Sequence, residues 1–158
     1  MSESMEVLAE IRNRVKGRTL LVGRKIGQSK FDMLGASLRL EAKPQKYPTG
    51  GNVVAWERGL LDKFSHGDFE SIILHRFLYK PVKEYVEDPL EILAEVKRIL
   101  PDGGVLVVNS FLLDSATSRF RSADSFYTES EMIAMLANQG FEAARVRIGE
   151  AHLFICER

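Results

Sequence analysis

The chain has 158 residues, one domain's length and enough to bury a proper core. Its 22 basic and 22 acidic residues cancel, which argues against a large nucleic-acid footprint but leaves room for a local basic patch. One cysteine, Cys156, excludes an intramolecular disulfide framework, and His66, His75 and His152 show no metal-ligand spacing with it.

No apolar run approaches the roughly 20 residues needed to cross a bilayer, and no signal peptide, internal repeat or low-complexity segment is visible. The expectation is a single cytoplasmic domain over residues 1–158 with no membrane segment and no metal.

Residues 4–16 read as an amphipathic helix with Leu8, Ile11 and Val15 on one face. Acidic residues (Glu3, Glu6) stand near its start and Arg12, Arg14 and Lys16 near its end, as the helix dipole favours, with Gly17 as C-cap. Segment 1–17 is therefore expected to pack on a sheet. Thr19 to Val22 is a short buried strand, and Gly23-Arg24-Lys25-Ile26-Gly27 is a glycine-bearing loop that can bring backbone amides close to a ligand. Phe31, Met33 and Leu34 imply a brief helix closed by Gly35. A weak second strand spans 36–40 and ends at Glu41, the proline- and glycine-rich 42–52 is a connection, and a third strand covers 53–56.

Ser71 to His75 is a fourth strand, and Pro81 breaks the mixed segment that follows. Asp88 then caps a helix, with Pro89 at its first position and Glu91 placed for a capping box. Leu93, Val96, Ile99 and Leu100 share one face of that helix, Pro101 to Gly104 turns the chain, and Val105 to Val108 reads as a strand covered on both sides. A polar insertion at 112–126 precedes another helix, begun by Thr128 with a box to Glu131 and a staple from Tyr127 to Met132, and ended by Gly140 and Phe141. Two last strands, 142–148 and 151–157, join through Gly149-Glu150 as a hairpin.

Three stretches carry a resemblance. Leu100-Pro101-Asp102-Gly103-Gly104-Val105-Leu106-Val107-Val108 looks like the L-[KR]-P-G-G-x-L-[VI] segment before the fifth strand of the class I S-adenosylmethionine-dependent methyltransferases, particularly the small type 11 group. Phe64 to Ile73 resembles the approach to their fourth strand, and Tyr127 to Glu142 their last helix and closing hairpin. The resemblance implies an α/β, Rossmann-like methyltransferase sandwich: a mostly parallel sheet with an antiparallel C-terminal hairpin, trimmed by a helix between strands two and three.

It also implies S-adenosylmethionine as cofactor. On the family's pattern, Gly23, Arg24, Lys25 and Gly27 form the cofactor loop, and Glu41 stands where a carboxylate binds the ribose hydroxyls. Glu57 and Arg58 compete for the position of an acid the family often has near the adenine, and Leu74 is a further candidate cofactor contact. Two positions depart from the pattern: Leu21 replaces the family's acid, and Lys25 its middle glycine. Lys25 and Arg24 would equally suit an anionic ligand such as a nucleotide phosphate. His75, at the carboxyl end of the fourth strand, is the candidate general base, against the alternative of a structural histidine. Tyr79, Arg119 and Arg121 lie on connections that would flank a substrate. The family's N-P-P-[YF] signature for amino-group methylation is replaced by Leu74-His75-Arg76-Phe77.

Two functions follow as expectations. The first is methyl transfer to an unknown small molecule or protein. The second is a catalytically inactive relative acting as a binding or partner subunit, with homo-oligomerisation equally open.

Overall fold

The computed structural model describes residues 5–24, 26–42, 52–80, 88–110, 112, 127–149 and 151–158. Among them, chain order runs α1 (Met5–Arg14), β1 (Thr19–Arg24), α2 (Gly27–Leu34), β2 (Leu38–Ala42), β3 (Val53–Ala55), a 3-10 turn (Leu60–Lys63), β4 (Ser71–His75), α3 (Pro89–Ile99), β5 (Val105–Asn109), α4 (Glu129–Asn138), β6 (Glu142–Ile148) and β7 (Ala151–Glu157). All seven strands join one sheet in the order β3-β2-β1-β4-β5-β7-β6. Every pairing from β3 to β5 is parallel, whereas β7 runs antiparallel to both β5 and β6. The mostly parallel sheet with its closing antiparallel hairpin is as the sequence implies. The trimmed helix between strands two and three was expected at positions that lie outside the described residues.

Alternation along the central strands sorts the core into two layers. Leu20 and Val22 of β1, Ile72 and Leu74 of β4, and Leu106 and Val108 of β5 face α3 and α4. The residues between them, Leu21, Ile73 and Val107, face α1 and α2. Burial on both sides is why these strands are unbroken apolar runs. In α3, Ile92, Leu93, Val96 and Ile99 are all buried, and each aliphatic side chain so placed contributes about 1.5–3 kcal/mol.

The helix ends follow their local chemistry. Asp88 accepts from the Leu90 amide at the start of α3. Glu91 does not complete a box there; it pairs with Arg58 instead, because that guanidinium stands 3.1 Å away. The Thr128–Glu131 capping box is present. At the other end of α4, Phe141 N donates to Leu136 O and Gly140 N to Ala137 O, a Schellman closure with Gly140 at φ +84°. Gly35 closes α2 in the left-handed region. Strand β1 is longer than its apolar run and carries Gly23 and Arg24 into the sheet, while β2 starts later than expected and includes Glu41. The carboxyl-end extensions arise because the parallel ladder continues through Gly23 opposite Glu41 and Arg24 opposite Ala42.

Candidate functional site

One row of residues crosses the sheet at its carboxyl edge. Gly23 of β1 is level with Glu41 of β2 on one side and His75 of β4 on the other. The row continues to Ala55 of β3 and Asn109 of β5. Three strand ends thus bring together Gly23, Glu41 and His75, residues separated by up to 52 positions. In an open α/β sheet, the crevice beyond such strand ends is where ligands bind.

Gly23 is required here by space rather than by backbone angle. A Cβ built on it would stand 2.2 Å from His75 O and 2.9 Å from His75 Cβ. The loop then reaches Ile26, and Gly27 opens α2 with φ +67°. Lys25 lies outside the described residues. Arg24 is nearly buried, its guanidinium carbon 5.6 Å from the centre of the Phe77 ring, which in turn meets Trp56 in an edge contact at 4.8 Å.

Glu41 is the only buried carboxylate among the described residues. Its Oε1 accepts from the Ile26 amide at 3.0 Å, tying the end of β2 to the glycine loop. Its Oε2 stands 3.6 Å from Arg39 Nε, an ion-pair distance too long for a hydrogen bond. Arg39 is itself buried, with Nε and Nη1 lacking hydrogen-bond partners and its guanidinium 5.5 Å from the centre of the Phe31 ring. Sequence reasoning missed Arg39, although its signal was available: two residues before Glu41 in a strand, it must share Glu41's face.

His75 is buried between two partners. Asn109 Nδ2 lies 3.1 Å from its Nδ1 and Lys30 Nζ 3.5 Å from its Nε2. Burial, then the positive charges of Arg76 and Lys30, hold its pKa well below the usual imidazole value, so the ring is neutral at pH 7. Asn109 Nδ2 and the Lys30 ammonium are both donors and a neutral imidazole has one acceptor nitrogen, so only one of these contacts is a hydrogen bond to the ring at a time. Arg76 leaves β4 at φ +52°, a left-handed backbone uncommon for a residue with a side chain, and its amide donates to Asn109 O at 2.6 Å. Lys30, Arg76 and Asn109 were not singled out in the sequence, because only the parallel pairing of β4 with β5 and the packing of α2 put them beside His75.

Leu21, at the position where an acid was looked for, is fully buried in the core layer beneath α1 and α2. Leu74 faces the opposite layer and is fully buried too. Tyr79 is 2% exposed. Glu57 and Arg58 are exposed and line a separate groove against α3, to which neither Gly23, Glu41 nor His75 contributes. Arg119 and Arg121 lie outside the described residues. Cys156 is a free thiol buried in β7, its pKa pushed up to about 12 by burial. No group of three or more potential metal ligands is found among the described residues, and no helix among them is long and apolar enough to cross a membrane.

No protein-family model matches the chain. An uncharacterized protein of Methanocaldococcus jannaschii is 27% identical over 156 residues, covering 87% of this chain and 70% of that protein. Among solved structures, a Thermotoga maritima SAM-dependent methyltransferase, described as a possible histamine N-methyltransferase, superposes with TM-score 0.65 at 17% identity, covering 96% of this chain and 88% of its own. A SAM-dependent methyltransferase from Aquifex aeolicus gives TM-score 0.66 at 16% identity, over 97% of this chain and 88% of its own. The putative methyltransferase of Haloferax volcanii, solved with its Trm112 activator, gives 0.66 at 12% identity, over 94% and 87%. These likenesses run through nearly the whole of each chain, and the protein described above has the fold of the class I S-adenosylmethionine-dependent methyltransferases.

Proposed function

We propose that the protein binds S-adenosylmethionine at the carboxyl edge of β1, β2 and β4 and transfers its methyl group to a small-molecule or protein acceptor. The observation that carries this reading is the position of Glu41, at the end of β2, level with Gly23 and next to the glycine loop. A carboxylate there can accept from both ribose hydroxyls, since each oxygen has lone pairs beyond the one given to Ile26 or facing Arg39. Ribose contact requires the Ile26 backbone to lift away from a carboxylate that is now buried. Methyl transfer to an already nucleophilic atom needs chiefly proximity and alignment, so the reading does not depend on a general base. If His75 serves as one, its unprotonated ring nitrogen must become reachable by the acceptor, and the two ring nitrogens now face Asn109 and Lys30.

A second reading is favoured by Leu21 and by the engagement of Glu41. With no acid at position 21 and the position 41 carboxylate clasped by Ile26 and Arg39, the fold would serve as a non-catalytic binding or partner subunit. Titration calorimetry with S-adenosylmethionine and S-adenosylhomocysteine separates the two. Saturable heat with both, weakened at least tenfold in Glu41→Gln, supports the enzyme. Absence of heat at ligand concentrations on the order of 1 mM, weaker than about −4 kcal/mol of binding, rejects it.

A further inference from the structure

A cavity of about 610 Å³ lies between the segment after β3 and the first two turns of α3. It falls within the size range of small-molecule sites. Trp56, Leu61 and Ile92 give it an apolar lining. Its polar lining is of one sign: Glu57, Asp62, Asp88, Glu91 and Glu95, against the single cation Arg58. In a chain whose charges cancel, this is a local concentration of negative charge. Part of it is already answered. Arg58 pairs with Glu91, Arg98 pairs with Glu95, and Asp88 caps α3. Glu57 and Asp62 have no ion pair among the described residues and face the cavity from the side opposite α3.

The cavity and its tryptophan are observations independent of the carboxylates. An apolar wall bearing an indole, next to unneutralised carboxylates, suits a ligand with a positive head and a hydrocarbon body, because aromatic faces and carboxylates both attract an ammonium. We propose that this groove binds an organic cation whose ammonium group sits by Glu57 and Asp62 and whose aliphatic body lies on Trp56, Leu61 and Ile92. The site is distinct from the row of Gly23, Glu41 and His75 and stands whether or not a methyl donor binds there. The two sites are physically linked, since Trp56 N donates to Glu41 O at 2.9 Å and the Trp56 ring abuts Phe77 under Arg24.

Trp56 is the chain's single tryptophan, so its fluorescence reports directly on the groove. The experiment titrates the full chain with diaminooctane and, in parallel, with octanediol, which has the same carbon chain without charge. A saturable change with the diamine alone, weakening as salt is added, is expected. Neutralising Glu57→Gln and Asp62→Asn lowers affinity about 5-fold each, the factor of one exposed charge pair. Both side chains are exposed, so the variants keep the wild-type melting temperature, and Glu142→Gln on the distant β6 keeps wild-type affinity. Three outcomes overturn the proposal: no saturable change at concentrations on the order of 10 mM, equal binding of octanediol, or equal weakening by Glu142→Gln.

Discussion

Replacing Glu41 by leucine leaves the Arg39 guanidinium buried with no carboxylate beside it. Arg39 is 2% exposed, and two of its nitrogens already lack hydrogen bonds, so Glu41 at 3.6 Å supplies the principal compensation for its charge. Removing one member of such a pair costs about 3–5 kcal/mol, because the remaining charge stays desolvated. The Ile26 amide also loses its acceptor, a further cost of about 1–3 kcal/mol. For a chain of this length, with each kcal/mol shifting the midpoint by about 2–4 °C, Glu41→Leu is expected to melt at least roughly 8 °C lower. The double variant Arg39→Leu/Glu41→Leu recovers most of this loss, since an apolar pair of similar volume replaces the ions without leaving a charge behind. Glu41→Gln keeps an oxygen for Ile26 and isolates the charge effect. Thermal melts of wild type, Arg39→Leu, Glu41→Leu and the double variant form a double-mutant cycle. A Glu41→Leu midpoint within about 2 °C of wild type, or losses that simply add in the double variant, would refute the ion pair as a structural unit. Calorimetry on the same set separates structure from ligand binding: if Glu41 holds a ribose, the stable double variant still fails to bind S-adenosylmethionine.

Two further outcomes follow from the same row. Gly23→Ala places a Cβ 2.2 Å from a backbone oxygen of β4, which cannot move as a side chain tip can, and costs about 1–3 kcal/mol towards the upper end; a denaturation free energy within about 0.5 kcal/mol of wild type would contradict the packing. His75 resists protonation in the folded state while an unfolded histidine takes a proton near pH 6.5, so below that pH the unfolded chain binds the extra proton and stability falls. Its contribution is present above about pH 6.5 and is lost as pH drops towards the folded value, at up to about 1.4 kcal/mol per pH unit. Wild type and His75→Gln compared in melts between pH 7 and 5 should converge as pH falls; parallel curves would show that His75 titrates freely.

The acidic groove and the edge row differ in how far sequence reaches them. Glu57 and Arg58 were picked out for adenine because they follow the third strand, yet they line the groove against α3, where Arg58 pairs with Glu91, a placement that depends on the path from Trp56 to the 3-10 turn. Glu41 was legible as the residue ending a strand. Its two partners were harder to reach: Ile26 offers only a backbone amide, and Arg39 shares Glu41's face of the strand but shows its burial only once Phe31 of α2 covers that face.

The amino-acid sequence by itself determined the features set within a few residues: the Asp88 and Thr128 caps, the Gly140 closure, the doubly covered run at Val105 and the hairpin at Gly149. These rest on hydrogen bonds and periodicities that a short segment contains whole. Tertiary structure alone decided the strand order, the buried Arg39–Glu41 pair, the His75 contacts with Asn109 and Lys30, and the absence of room at Gly23. Each of these depends on parallel register between strands distant in sequence, and register is fixed by which faces the helices bury, a property no single segment carries.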